Sequence, residues 1–316
     1  MGAALRIGLP PDHPDVAEPF RGAAGRSLRD LEKAGEGVRG ALRVYREGLN
    51  QLIRGLLTAG PEARERVMGF FTDALLVNTA ADAFRPDRTK VSHPQTLLNI
   101  LSALLKLCEP FVLDAKKRRL IHPGFVSSPA DHGGVYVADG DDAVPRLGDN
   151  VDLAGVTYDP KNKFVPQCFF LTARAVHLSL VPRASYHRSL HRQIGHELWT
   201  IRQRGGDERS DPNLGHALQT QYAMECSLLM PEFLTDAVRF ANLCAAFLLG
   251  LDDNELPRMP EHIADDVCDV LTFMTRQTSG GKAMRGVDLG DSFKVVVKLL
   301  SPNYSHVSRN ARAGLV

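Results

Sequence analysis

The sequence has little of what marks several classes of protein. Its 316 residues include one Trp and five Cys, and 38 Lys+Arg nearly balance 37 Asp+Glu. A net charge of +1 gives no electrostatic footprint for nucleic acid or an anionic membrane, so neither is expected as a partner. The cysteines have no C-x-x-C spacing and lie mostly in apolar helical patterns. That pattern argues against a disulfide framework or a zinc site and favours a reducing compartment, the cytoplasm or the nucleus.

The N-terminus also lacks a continuous apolar stretch. No secretory signal is therefore expected. Pro-Pro and His-Pro pairs break the first residues, and we expect residues 1–20 to form a loose leader ahead of a helical core over 21–316.

The segment from Lys163 to Pro182 is the most apolar part of the chain. At helical spacing its apolar residues cover most of the cylinder and leave Gln167, Arg174 and His177 as a narrow polar strip. A bilayer span needs about 20 apolar residues, so this segment is too short, and its central arginine opposes insertion. The pattern predicts a buried central helix with other helices packed on two of its faces.

Apolar residues at i, i+3 and i+4 predict further helices on both sides of this segment. They are one or two helices over 27–57, one opening at Pro61, one capped by Ser92 and ended by Pro110, one through Leu190 and Ile201, one over 213–230, one opening at Pro231, one opening at Pro260 and one over 292–300. Strands and helices do not alternate. The sequence therefore predicts an all-α fold, either an irregular armadillo/HEAT-like helical solenoid or a stacked helical bundle.

Residues 114–159 lack this periodicity. Prolines, the Gly133-Gly134 pair and an acidic run interrupt the segment. We expect a long surface excursion there, with short extended pieces at 135–137 and 156–158.

Two glycine motifs match phosphate-binding patterns without the context that the chemistry needs. Residues 35–40 spell G-x-G-x-x-G, but they follow a solvated helical segment rather than a buried strand. Residues 279–282 resemble a P-loop that lacks its first glycine, and they are expected to form a turn.

Three histidines are of the right type to bind a metal. The zinc-protease pattern that begins at His196 fails, because Thr200 stands where its second histidine belongs. His187 and His191 have the i, i+4 spacing of metal ligands, but no third ligand is evident, so we expect an exposed polar helix face. A metal hydrolase that uses these histidines is one alternative hypothesis for the function.

The cysteines and paired carboxylates are expected to be structural. Cys108 and Cys168 lie on apolar faces, which disfavour the thiolate that a nucleophile needs. The pairs at 252–253, in a turn, and 265–266, on a helix flank, are expected to be solvated. No catalytic residue, cofactor site or metal site is therefore predicted. A helical stack of this kind is typical of proteins that bind other proteins.

Four segments resemble the core domain of the ubiquitin conjugation factor E4 family, U-box ubiquitin ligases that elongate ubiquitin chains. They are Leu98–Phe111, which ends in Leu-Cys-Glu-Pro-Phe, Cys168–Leu178, Met259–Val270, and Ser301–Tyr304 with Arg309–Ala313. They occur in the family's order, and the resemblance covers about Phe70 to Val316. Ala311 stands where the family has Pro-Tyr-Leu, and no segment has the pattern of a U-box.

The resemblance implies an armadillo-like core that extends polyubiquitin on substrates for proteasomal degradation, including ER-associated degradation. It implies three partners: the AAA segregase ATPase, ubiquitinated substrates and, through a U-box, a ubiquitin-conjugating enzyme. On this basis 21–316 is a partial core, expected to be inactive as a transferase by itself. The alternative is a helical protein–protein interaction adaptor with no role in ubiquitin transfer.

Overall fold

The computed structural model describes residues 14–79, 91–136, 144–148, 151 and 163–301. These residues form helices that pack around one apolar core. In this part of the chain the backbone forms no strand, and Arg146 and Pro260 pair in an isolated antiparallel β-bridge. The predicted all-α stack is confirmed.

The longer helices begin and end close to the predicted proline and glycine signals. They are α1 (Leu28–Thr58), α2 (Pro61–Val77), α3 (Pro94–Leu113), α4 (Phe164–Ala175), α5 (Val181–Gln203), α6 (Pro212–Leu228), α7 (Pro231–Gly250), α8 (Glu261–Thr275), α9 (Thr278–Met284) and α10 (Gly290–Leu300). Proline stands in the first turn of several of them, where its missing N–H costs nothing. Side chains cap others: Ser27 accepts from the Asp30 backbone N–H, and Asp211 accepts from those of Asn213 and Leu214.

The central helix is longer than predicted. A five-residue π-helical turn, Val176–Leu180, joins α4 to α5, so one helix of 40 residues runs from Phe164 to Gln203. Pro182 does not end the helix. Proline cannot donate a backbone hydrogen bond, and its ring crowds the carbonyl of the preceding turn, but the wide π-helical turn before it accommodates both effects.

Among the described residues three helices are long and apolar enough to cross a membrane by length and composition: α3, the joined α4–α5 and α7. The prediction that the central segment is too short is therefore wrong. More than half of each apolar window is buried against other helices of the protein.

Two helices flank α4, as predicted. It packs against α3 and α2, and α3 in turn packs against α7, which contacts α8, α9 and α10. The α5 segment packs against α6, and α6 also contacts α1. Phe169 and Phe170 of α4 are fully buried where these layers meet, among the rings of Phe240 and Phe247.

Both predicted boundaries of α3 are wrong by a few residues. His93, rather than Ser92, is the cap: its ring accepts from the Gln95 backbone N–H. The helix also continues past Pro110 to Leu113.

The predicted leader and surface excursion both contribute to the core. Val16 and Phe20 are buried, and the Phe20 ring stacks 5.8 Å from that of Tyr222. Residues 1–13 lie outside the described part. Within the described residues of 114–159, the buried hydrophobic side chains are Ile121, Phe125, Val126, Val135, Tyr136, Val144 and Leu147. The expected surface excursion is therefore wrong where these side chains pack on the core, whereas most of 115–120 is exposed. Residues 135–136 form no strand, and 137 and 156–158 lie outside the described residues.

The two glycine motifs are both helical. Residues 35–40 lie inside α1, in keeping with the helical context of the sequence. Residues 279–282 lie inside α9, so the predicted turn is wrong. Gly280 is required there because a Cβ would stand 2.3 Å from the Met274 carbonyl oxygen.

Candidate functional site

A buried histidine–carboxylate cluster ties the central helix to α8. His177 lies in the π-helical turn, and His262 and Asp266 lie one turn apart on α8. Each Asp266 oxygen accepts a hydrogen bond at 2.9 Å from one imidazole Nδ1, and the two rings stack with centroids 4.2 Å apart. We name these three residues the inner cluster.

Protonation in the inner cluster follows from burial and pairing. Burial acts to raise the pKa of Asp266, but the hydrogen bonds from both histidines outweigh it and hold that pKa below its ordinary value. Burial and the nearby His177 lower the pKa of His262 to about 4. At neutral pH the cluster therefore holds an ionised Asp266 beside a neutral His262. The prediction that the 265–266 pair is solvated is wrong for Asp266.

Two of the three residues in the polar strip predicted on the central helix are buried, and the third, His177, is partly exposed. Gln167 and Arg174 are almost inaccessible to solvent. Nearby, Tyr136 donates from its hydroxyl to the Phe170 carbonyl, and the Arg146 guanidinium lies over the Tyr136 ring. These contacts anchor the segment that the sequence assigned to the surface.

A second cluster lies between α5 and α6, and we name it the outer cluster. His187 is fully buried, His191 is 49% exposed, and Glu225 of α6 completes the group. The Glu225 Oε1 lies 2.9 Å from His187 Nε2 and 3.5 Å from His191 Nε2. Gln221 donates at 2.8 Å to the same carboxylate oxygen.

The outer cluster corrects two predictions. His187 is not on an exposed face, and Glu225 supplies the third ligand whose absence argued against a metal. His196 is not part of the group: it is exposed and stacks on Trp199 with ring centroids 6.2 Å apart. The three histidines of the sequence pattern therefore do not converge.

A basic cleft opens beside the outer cluster. Its volume is about 480 Å³. It is lined by Ser185, His187, Arg188, His191, Arg192, Arg276 and Gln277. A second cleft of about 520 Å³ lies between α2 and α4, where Lys163 pairs with Glu65 at 3.1 Å.

The cysteines are buried or half-buried, and all are protonated at neutral pH. Burial raises the pKa of Cys108 and Cys226 to about 12 and that of Cys268 to about 11. It also raises the pKa values of Cys168 and Cys244 well above the ordinary value. A nucleophilic thiolate is disfavoured at each of them.

Sequence reasoning missed His262 and Glu225. The i, i+4 spacing of His262 and Asp266 was a usable signal, because such residues meet on one helix face. Glu225 gives no such signal, since it joins the outer cluster from another helix.

Comparison with known proteins identifies the family. The model of the ubiquitin elongating factor core matches residues 1–306. The chain is 24% identical over 373 residues to an Arabidopsis thaliana protein named "Probable ubiquitin conjugation factor E4", with 96% of this chain and 36% of the relative covered. It thus spans about a third of the length of that relative. The chain belongs to the ubiquitin elongating factor core family, the core domain of E4-type ubiquitin conjugation factors.

Proposed function

We propose that this chain is the scaffold core of an E4-type ubiquitin-protein ligase that extends polyubiquitin chains on proteins destined for the proteasome. The family match over residues 1–306 carries the proposal. A scaffold accelerates transfer by orientation, and well-placed groups reach effective molarities of about 10⁵ M or more.

The state of the cysteines supports transfer without a covalent intermediate on this chain. A ligase that accepts ubiquitin as its own thioester needs an accessible thiolate. All five thiols here are held protonated, mainly by burial. In the proposed reaction an acceptor lysine amine attacks the thioester on the conjugating enzyme. The isopeptide bond forms and the enzyme's thiol is released.

Contact with the conjugating enzyme requires a U-box, whose pattern the 316 residues do not contain. We therefore expect the chain by itself to elongate nothing. Its proposed partners are ubiquitinated substrates and the AAA segregase ATPase, in the cytoplasm or nucleus, with ER-associated degradation among the processes served.

The exposed face of α5 is our candidate for partner contact. Trp199 is 59% exposed, and Arg192, two turns earlier on the same side of the helix, is also exposed. Aromatic residues and arginine are enriched in the centres of protein interfaces. Trp199 is also the single tryptophan of the sequence, so its fluorescence reports directly on this face.

A reconstituted elongation assay tests the proposal. It combines activating enzyme, conjugating enzyme, ubiquitin and a mono-ubiquitinated substrate with one of three proteins: this chain, an isolated U-box, or this chain fused to that U-box. We expect elongation by the fusion to exceed that by the U-box alone, with none from the chain alone. Equal elongation by the fusion and by the U-box alone would contradict a role in chain elongation and would favour the adaptor alternative.

Partner binding is measured separately. Titration with the ATPase or with ubiquitinated substrate should shift the Trp199 emission to shorter wavelength, because the indole leaves water. The Arg192→Ala variant should bind more weakly, while Phe293→Ala, which alters an exposed ring on α10, should bind like wild type.

A further inference from the structure

We propose that the outer cluster, His187, His191 and Glu225, binds a single divalent transition-metal ion, Zn²⁺ by the chemistry of its ligands. Two imidazole nitrogens and one carboxylate oxygen are a known ligand set for zinc with an open fourth position. The inference rests on the geometry of these residues alone and is independent of the function proposed above.

The three ligand atoms are already close to zinc spacing. They lie within 4.8 Å of one another, with separations of 2.9 Å and 3.5 Å from Glu225 to the two histidines. In a tetrahedral zinc site with bonds near 2.1 Å, neighbouring ligand atoms are about 3.4 Å apart. The two distances from Glu225 therefore differ from that spacing by about 0.5 Å or less, and the two imidazole nitrogens are already within 4.8 Å of each other.

Two different helices supply the ligands. The i, i+4 histidines present both rings on one face of α5, and α6 packs against that face and carries Glu225. A bound ion would therefore link α5 to α6 as well as occupy a site. Folding of the described residues brings the ligands together before any ion is present.

The hydrogen bonds of the cluster suit a cation. Glu225 Oε1 accepts a hydrogen bond from His187 at 2.9 Å and one from Gln221 at 2.8 Å, so a carboxylate oxygen faces the centre of the cluster. The Gln221 amide nitrogen lies 3.1 Å from His191 Nε2, which must then accept and so presents its lone pair to the cluster. For an ion to bind, the His187 proton would move from Nε2 to Nδ1, which frees the Nε2 lone pair for the metal, and the Gln221 amide would be displaced.

The cleft beside the cluster supplies a route and a fourth ligand position. Both histidines line it, and so do the guanidinium groups of Arg188, Arg192 and Arg276. The positive charge of these guanidinium groups favours an anion, such as chloride, hydroxide or a partner's carboxylate, as the fourth ligand.

The affinity is expected to be micromolar rather than nanomolar. The neighbouring arginines repel a cation. His187 Nδ1 is also buried with no hydrogen-bond partner among the described residues, so it lacks the outer hydrogen bond that orients ligands in tight sites.

The test uses the full chain, freed of metal by chelation and titrated with ZnCl₂ in calorimetry and in thermal melts. We expect one ion per chain and a rise in Tm with added zinc. Replacement by Co²⁺ should give the visible absorption of a four-coordinate site.

Matched variants locate the ion. His191→Ala and Glu225→Gln should weaken binding more than about tenfold. His196→Ala, which removes an exposed histidine of the same helix outside the cluster, should leave binding unchanged. Because His191 is half exposed, His191→Ala is expected to fold, which circular dichroism of the metal-free protein checks.

Two results would overturn the assignment. One is the absence of stoichiometric uptake by the wild-type chain. The other is equal weakening by His196→Ala and His191→Ala, which would show adventitious binding to surface histidines.

Discussion

The rings of Phe169 and Phe247 lie with their centroids 4.8 Å apart and join α4 to α7. Phe169 also contacts Phe170 and Phe240, and its side chain is fully buried. Aromatic pairs at such distances add about 0.5–1.5 kcal/mol beyond the burial of their area. These rings therefore link the central helix to α7 through side-chain contacts.

Removal of the Phe169 ring should destabilise the stack strongly. Phe169→Ala is expected to lower the free energy of unfolding by about 3–5 kcal/mol, because the cavity cannot close among packed rings. Urea unfolding followed by circular dichroism measures it. Phe293→Ala, at a ring that is 64% exposed, should change the same quantity by less than about 0.5 kcal/mol. Similar losses from both variants would contradict the packing described.

Adjacent glycines in α9 should respond oppositely to alanine. At Gly280 a Cβ would stand 2.3 Å from the Met274 carbonyl oxygen, whereas at Gly281 nothing lies within 4 Å. Gly280→Ala is expected to cost about 1–3 kcal/mol through overpacking. Gly281→Ala should stabilise the helix by up to about 1 kcal/mol, because alanine loses less backbone entropy. The Tm values of the two variants measure this difference. A Gly280→Ala protein as stable as wild type would show that α9 does not approach α8 so closely.

The thiols should resist alkylation in the native protein. Cys108, Cys168 and Cys244 are buried and have raised pKa values, so iodoacetamide should label them at rates set by unfolding. Half-buried Cys268, with a pKa of about 11, should react first and still slowly at pH 7.5. Mass spectrometry of time points gives the order. Rapid native labelling of a buried thiol would remove the argument against a thioester on this chain.

The inner cluster should make stability fall with acid. Because the pKa of His262 is about 4 in the folded chain and 6.5 unfolded, the unfolded state alone binds its proton between these values. The contribution of His262 is complete above pH 6.5 and lost as pH falls toward 4, a change of about 3 kcal/mol. Denaturant midpoints at pH 4–8 measure it.

His262→Asn is the matched control for that pH dependence. The asparagine amide can keep a donor to Asp266 without titrating. Asp265 acts in the opposite direction. Burial, Glu261 and other acidic neighbours raise its pKa to about 7, so its contribution to the stability of the folded protein increases as pH falls. Since both proteins retain Asp265, the difference between them isolates His262. Parallel pH profiles would refute the assignment.

The helices were largely predictable from the sequence, and their ends were less so. Regular apolar spacing indicates where a helix can bury a face, whatever packs against it. Pro110 and Pro182 indicated helix ends that the structure does not have, because a late helical turn and a π-helical turn accommodate them. Such accommodation depends on packing that a local pattern does not contain.

The clusters were predictable only in part. His187, Leu190 and Ile194 follow i, i+3, i+7 spacing, so their shared buried face was present in the sequence. The pairing of His177 with Asp266, 89 positions away, was not, because it requires the packing of α8 on the central helix. Likewise, no local pattern indicates that Glu225 faces two histidines.

The helix from Phe164 to Gln203 connects the interior of the protein directly to its surface. At 1.5 Å per residue it is a rod about 60 Å long, with the buried phenylalanines at one end and the exposed indole of Trp199 near the other. A partner that tilts the exposed end would bend the helix at the wide turn Val176–Leu180, which lacks the regular α-helical hydrogen bonds. Because His177 lies in that turn, such a bend would change the hydrogen bond between His177 and Asp266.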